Sequence, residues 1–318
     1  MGTWTESNST RFRVRFDDES RTEVEEVVHY LETLAARLEA HGLELPDHPA
    51  IVVHPTAFSL GLAQPAFLAA QSFTESNGRK YLASWTAGST LHLIAPGRLM
   101  RGTEGHITAR DALERAPAVG LAHLALGNVN PQLSLHRAVR KRAWFWLAWG
   151  AGQTLAGQVP ALASTIAARR RERRALQLPP PARDAVALGG SVVELVRRDR
   201  GLTALVKLLL APLPTRPEDW LHHALPGAGT TERDVHWRML LDELNDARSA
   251  VLAERTAAEL AAAEAERAEQ EATEQAILET RAAKEAAEAA ERRALEVAEL
   301  DAAAERAAAR SAARRDRG

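Results

Sequence analysis

The sequence predicts an α+β fold: a small mixed sheet followed by helices, with a long charged helix at the C-terminal end. Three observations carry this. Strand-like patterns are confined to the first hundred residues, and helical periodicity dominates the rest. Beyond residue 246 there is no proline, and the only glycine is the last residue. That stretch is rich in Ala, Glu and Arg, all strong helix formers. The predicted organisation is therefore a globular domain over residues 11–245 and a helical tail over 246–318.

The elements follow in order. RFRVRF at 11–16 alternates polar and apolar residues, as a half-buried strand does. Over 22–40 the apolar positions Val24, Val27, Val28, Leu31, Leu34, Ala35 and Leu38 recur at helical spacing. Residues 50–53 form a short apolar strand that ends before Pro55. Two further strands are predicted at 80–85 and 90–94, with Ala87-Gly88 as the turn. Helical periods then cover 117–126, 140–157, 184–198, 202–210 and the chain from 231 onward. Pro117 suits the first position of its helix. The prolines at 179–181 break the pattern between two of these helices. In the tail, large apolar residues such as Leu252, Leu260, Ile277 and Leu295 are sparse. The spacing predicts a long helix that associates weakly, not a tight coiled coil.

Composition narrows the function. Hydrophobic residues make up 46% and charged residues 26%, which suits a folded chain. The absence of cysteine excludes disulfides, thiolate zinc sites and cysteine nucleophiles. Lys+Arg 40 against Asp+Glu 42 leaves a net charge of −2, so no global field draws nucleic acid or a membrane. No apolar run approaches the ~20 residues that span a bilayer, and the first residues lack the apolar core of a secretory signal. A cytoplasmic protein with no cofactor is the expectation, with neither nucleic acid nor membrane as partner. The arginine run at 169–174 and the cluster Arg137, Arg140, Lys141 and Arg142 lack interleaved aromatics. Both read as solvated faces. There is no G-x-S-x-G nucleophile elbow and no G-K-[ST] phosphate loop.

Several segments carry a further pattern: IVVHP at 51–55, STLHLIAP at 89–96 and Trp146-Leu147-Ala148-Trp149-Gly150-Ala151-Gly152-Gln153. Gly190-Ser191-Val192-Val193-Glu194-Leu195, then Arg200-Gly201 and a leucine-rich helix at 205–210, follow in order, and Trp237-Arg238-Met239-Leu240-Leu241 closes the series. In their order and spacing these pieces resemble the gluzincin-type zinc metallopeptidase domain, the peptidase MA family. The resemblance implies a zincin-like fold. It also implies a helix H-E-x-x-H carrying two zinc ligands and the general base, with a third ligand from a W-L-x-E-G helix.

The residues at those positions have changed. In the best register Val119 stands for the first His, Gly120 for the base, and His123 for the second His. In the other register His123 is the first His, Leu124 the base and Gly127 the second His. The third ligand falls on Trp149. The resemblance therefore implies a catalytically inactive protein with no catalytic residue and no metal, and a vestigial site of Val119, Gly120, His123 and Trp149. It further implies that Trp149 packs where the metal would sit, with Gly120 letting the ring come close. Such folds bind extended peptides on the strand beside the active-site helix. Thr90, Leu91, His92, Leu93 and Ile94 are the expected edge. The function so implied is a peptide- or protein-binding module with a helical interaction arm. The alternative is an active zinc peptidase with rearranged ligands, combining His123 with His92, His106 or Glu114. A third reading makes the globular part a mere anchor for the tail.

Overall fold

The computed structural model describes residues 4–100, 107–172 and 174–315. Five strands, β1 (Trp4–Asn8), β2 (Arg13–Asp17), β3 (Ala50–His54), β4 (Ser84–Ala87) and β5 (Thr90–Ile94), form one mixed sheet in the order β1-β2-β3-β5-β4. The central strands β2, β3 and β5 run parallel, and the outer strands pair antiparallel to them. Parallel neighbours need crossovers. Helix α1 (Arg21–Glu39) supplies the first, and α2 (Ala57–Ala63), α3 (Pro65–Phe73) and α4 (Ser76–Arg79) lie in the second.

After β5 the chain is helical. α5 (Pro96–Met100), α6 (Ile107–Glu114), α7 (Ala116–Val129), α8 (Leu135–Arg140), α9 (Phe145–Leu155) and α10 (Ala163–Arg171) come first. α11 (Ala185–Arg200), α12 (Leu202–Leu210), α13 (Pro217–Ala224) and α14 (Thr230–Arg315) complete the order. Two compact units divide between Ala250 and Val251. No helix among the described residues is long and apolar enough to cross a membrane.

The sheet register sorts side chains by face. Val14, Ile51 and Leu91 share a row on one face and Val53 and Leu93 continue it; all are buried, and α1 and α7 pack there. Val52, His92 and Trp85 share a row on the other face. That face receives α2 and α3, with the Phe67 ring edge-on to Trp85 at 5.9 Å. α9 and α11 approach through glycines: a Cβ on Gly150 would lie 2.3 Å from the Gly189 carbonyl, so no other residue fits that crossing unshifted. The first turns of α14 bury Trp237, Leu240, Leu241 and Leu244, and Trp237 Nε1 donates to Ser191 Oγ at 2.8 Å.

Three expectations need correction. The strand predicted at 80–85 lies at 84–87, because Tyr81 and Leu82 close turns, their N–H groups donating to Gly78 O and Arg79 O. Thr90, Leu91, His92, Leu93 and Ile94 are not an edge: β5 is paired with β3 on one side and β4 on the other, so its backbone groups are engaged. The edge beside α7 is β4. The arginine run is also not simply a solvated face. Arg169 is buried and holds Asp184 with two bonds of 2.9 Å, and Arg170 pairs with Asp242.

Candidate functional site

Helix α7 is apolar all round, and a helix of that kind belongs inside a core. Every residue from Ala116 to Leu126 is buried. Gly120 sets its distance from the sheet. A Cβ there would lie 2.5 Å from Leu91 Cδ1 and 2.8 Å from Ser84 Cβ. The space opened by the missing side chain is thus taken by β5 and β4, not by Trp149, which corrects the expected role of this glycine. Val119 is buried beside it.

His123 faces α9. Its ring lies 4.7 Å from the Trp149 ring, tilted by 48°. Its Nε2 is 3.2 Å from the Trp149 backbone carbonyl. A carbonyl only accepts, so Nε2 carries the proton and Nδ1 is a bare acceptor. That Nδ1 is buried with no hydrogen-bond partner, as is Trp149 Nε1. Gly152 makes the approach possible, since a Cβ on it would lie 2.2 Å from His123 Nε2. Nothing in the ligand pattern pointed to Gly152; the Gly-x-Gly spacing with Gly150 was the available signal. Burial pushes the His123 pKa from 6.5 down to about 4, against the opposing pull of the Trp149 and Ala148 carbonyls.

A second histidine group lies on the opposite face of the sheet. His54 Nε2 and His92 Nδ1 are 3.0 Å apart, and Gln64 Nε2 is 3.0 Å from His92 Nε2. If the Gln64 amide donates to His92 Nε2, then His92 Nδ1–H donates to His54. Burial first, and the neighbouring His54 second, lower the His92 pKa to about 4. Both His123 and His92 therefore stay neutral in the folded chain while the unfolded chain protonates near pH 6.5. The unfolded state binds more protons between those values, so stability is expected to fall as pH drops from about 6.5 toward about 4. Denaturant melts across that window check this. His123→Leu should flatten the slope, and an unchanged slope in that variant and in His92→Leu would refute the assignment.

Beside α7 lies a cleft with a volume of about 340 Å³. Trp85, Thr86, Ala87 and Gly88 of β4 and its turn form one wall. His123, Leu124 and Gly127 of α7, with Ser134 and His136 at the start of α8, form the other, and Gln64 also lines the cleft. No carboxylate lines it. The Ile94 N–H donates to Ala83 O at 3.1 Å. Continuing the antiparallel alternation from that bond turns the backbone N–H and C=O of Ser84 and Thr86 away from β5, toward the outer side of the sheet, where α8 also packs. The helix wall carries His123, expected from the resemblance, but the strand wall is β4 and not the residues 90–94 expected as the peptide edge.

The alternative ligands do not converge. Among the described residues no three His, Asp or Glu side chains are grouped to hold a metal ion. Glu114 is paired with Arg110 at 2.9 Å, and both nitrogens of His92 are engaged. His106 lies outside the described residues. No family model, curated protein or solved structure matches the chain.

Proposed function

We propose that the chain is a catalytically inactive, metallopeptidase-like protein that holds an extended peptide or protein segment along β4, its helical tail serving as an interaction arm. The observation that carries this reading is the outermost strand β4, which has no strand partner on its outer side and lines a carboxylate-free cleft of about 340 Å³ with Trp85, Thr86 and Ala87. An added strand would pair with the outward backbone groups of Ser84 and Thr86, and alternate side chains would enter the cleft. Main-chain pairing gives affinity with little demand on sequence. Leu124 and Trp85 favour apolar side chains in the cleft. His123 contributes no acid–base chemistry in this reading, because its protonated nitrogen is committed to the Trp149 carbonyl.

The test is peptide selection against the full chain from a random-sequence display library. Selected peptides are expected to lose binding at least tenfold when N-methylated at alternate positions. Thr86→Pro removes one outward N–H on the outermost strand and should weaken binding comparably; because Thr86 is buried, the N-methylated peptides, which leave the protein unchanged, decide the case if this variant loses stability. Peptides that bind equally after N-methylation would overturn pairing on β4. Failure to select any peptide would overturn the binding reading itself.

A further inference from the structure

The crossover from β3 to β4 presents an unusual surface. Residues 55–74 contain no charged side chain. Within them α2 and α3 leave Phe58, Leu62 and Leu68 exposed by 71%, 67% and 42%. Large apolar side chains exposed to that degree stand on a convex surface; they do not line a groove. On the flank of α3 lies α8, and the Arg142 guanidinium stacks over the Phe73 ring at 5.0 Å. Arg137, Arg140, Lys141 and Arg142 are all exposed at this turn. No ion pair among the described residues involves any of the four. Along the chain the acids nearest to this turn are Glu114 and Glu172, since residues 115–171 contain neither Asp nor Glu.

From this juxtaposition of an apolar wedge and an unneutralised basic turn we propose that the α2–α3 hairpin and the end of α8 form a docking face for an anionic lipid bilayer. The basic turn selects a negatively charged surface, and each cation near such a surface adds attraction within a Debye length. The convex wedge selects lipid over protein. A protein partner would have to provide hollows matching Phe58 and Leu62, whereas a bilayer accepts an apolar side chain anywhere at the level of its headgroups. The near-neutral charge of the whole chain does not oppose this, because the interaction depends on the local field. The face is separate from the β4 cleft, so its test does not depend on peptide binding.

The experiment is co-sedimentation of the full chain with vesicles of phosphatidylcholine, alone and mixed with phosphatidylserine. Binding is expected only to the mixed vesicles, weakening as salt is raised. Arg140→Ala with Lys141→Ala should reduce it more than tenfold, at about fivefold per cation. Phe58→Ser with Leu62→Ser, both exposed and without cost to the fold, should reduce it by about tenfold while thermal melting is unchanged. No binding to the mixed vesicles overturns the proposal. So does binding that survives the Phe58 and Leu62 changes, which would leave the apolar wedge without a role in the contact. Conversion of a concentration-dependent dimer to monomer by those two changes, without lipid binding, would assign the face to a second copy of the chain.

Discussion

Replacing Asp184 with Ala is expected to destabilise the fold by about 3–5 kcal/mol, the range for removing one partner of a buried ion pair. Arg169 and Asp184 are 2% and 1% exposed, and their two parallel bonds of 2.9 Å form a fork-to-fork pair. One further donor of Arg169 is used, and Asp184 has a second cationic partner. Arg169 Nη1 donates to the Arg174 carbonyl at 3.1 Å, and Arg183 Nε reaches Asp184 Oδ1 at 3.2 Å. Without the carboxylate, a guanidinium that cannot lose its proton is left in a dry site with one carbonyl and the more distant Glu172. Replacing both partners, Arg169→Met with Asp184→Leu, should cost far less, because the uncompensated charge is gone. Denaturant unfolding of the three variants measures this. A loss below about 1 kcal/mol in the single variant would mean that the pair is hydrated in solution.

Trp149→Ala is expected to cost a similar amount, about 3–5 kcal/mol, as truncation of a buried aromatic ring. The indole is 1% exposed and lies between the rings of His123 and Phe145, at 4.7 and 5.9 Å. Its backbone carbonyl, which accepts the hydrogen bond from His123 Nε2–H, survives the substitution. The loss is therefore one of packing, and Trp149→Phe should recover much of it. If the alanine variant melted like the parent protein, the view of Trp149 as packed core filling the space between α7 and α9 would fail.

Much of this fold was legible because its periods are clear. α1 buries Val24, Val28, Leu31, Leu34, Ala35 and Leu38 at the spacing seen in the sequence, and β5 occupies the residues predicted for it. β1 was not legible. Its residues WTESN are largely exposed and pair on one side only, so no apolar alternation marks them. α2 and α3 were missed for the opposite reason: an uncharged, apolar run with Gly61 and Pro65 inside it shows neither a helical nor a strand period. The position of the edge could not be read locally. β5 leaves the β4 hairpin and pairs parallel with β3, and this long-range choice pushes β4 outward. At the candidate site, the nearness of His123 to Trp149 was expected only from the family resemblance; no local pattern in the sequence marks it. The partner of His123, a main-chain carbonyl reached over Gly152, has no side-chain signature to read.

The first turns of α14 bear on the rest of that helix. Starting a helix is costly, because several residues must be fixed before the first hydrogen bond closes, whereas each added residue brings its own bond. In α14 the starting turns carry Trp237, Leu240, Leu241 and Leu244 into the core and are tied to Ser191. Nucleation is thus accomplished by tertiary packing, and the alanine-rich sequence beyond residue 250 has only to propagate. Propagation close to break-even is sensitive to its seed. When the packed turns melt, the residues beyond them lose their template, so the helicity of the tail follows the integrity of the domain from which it grows.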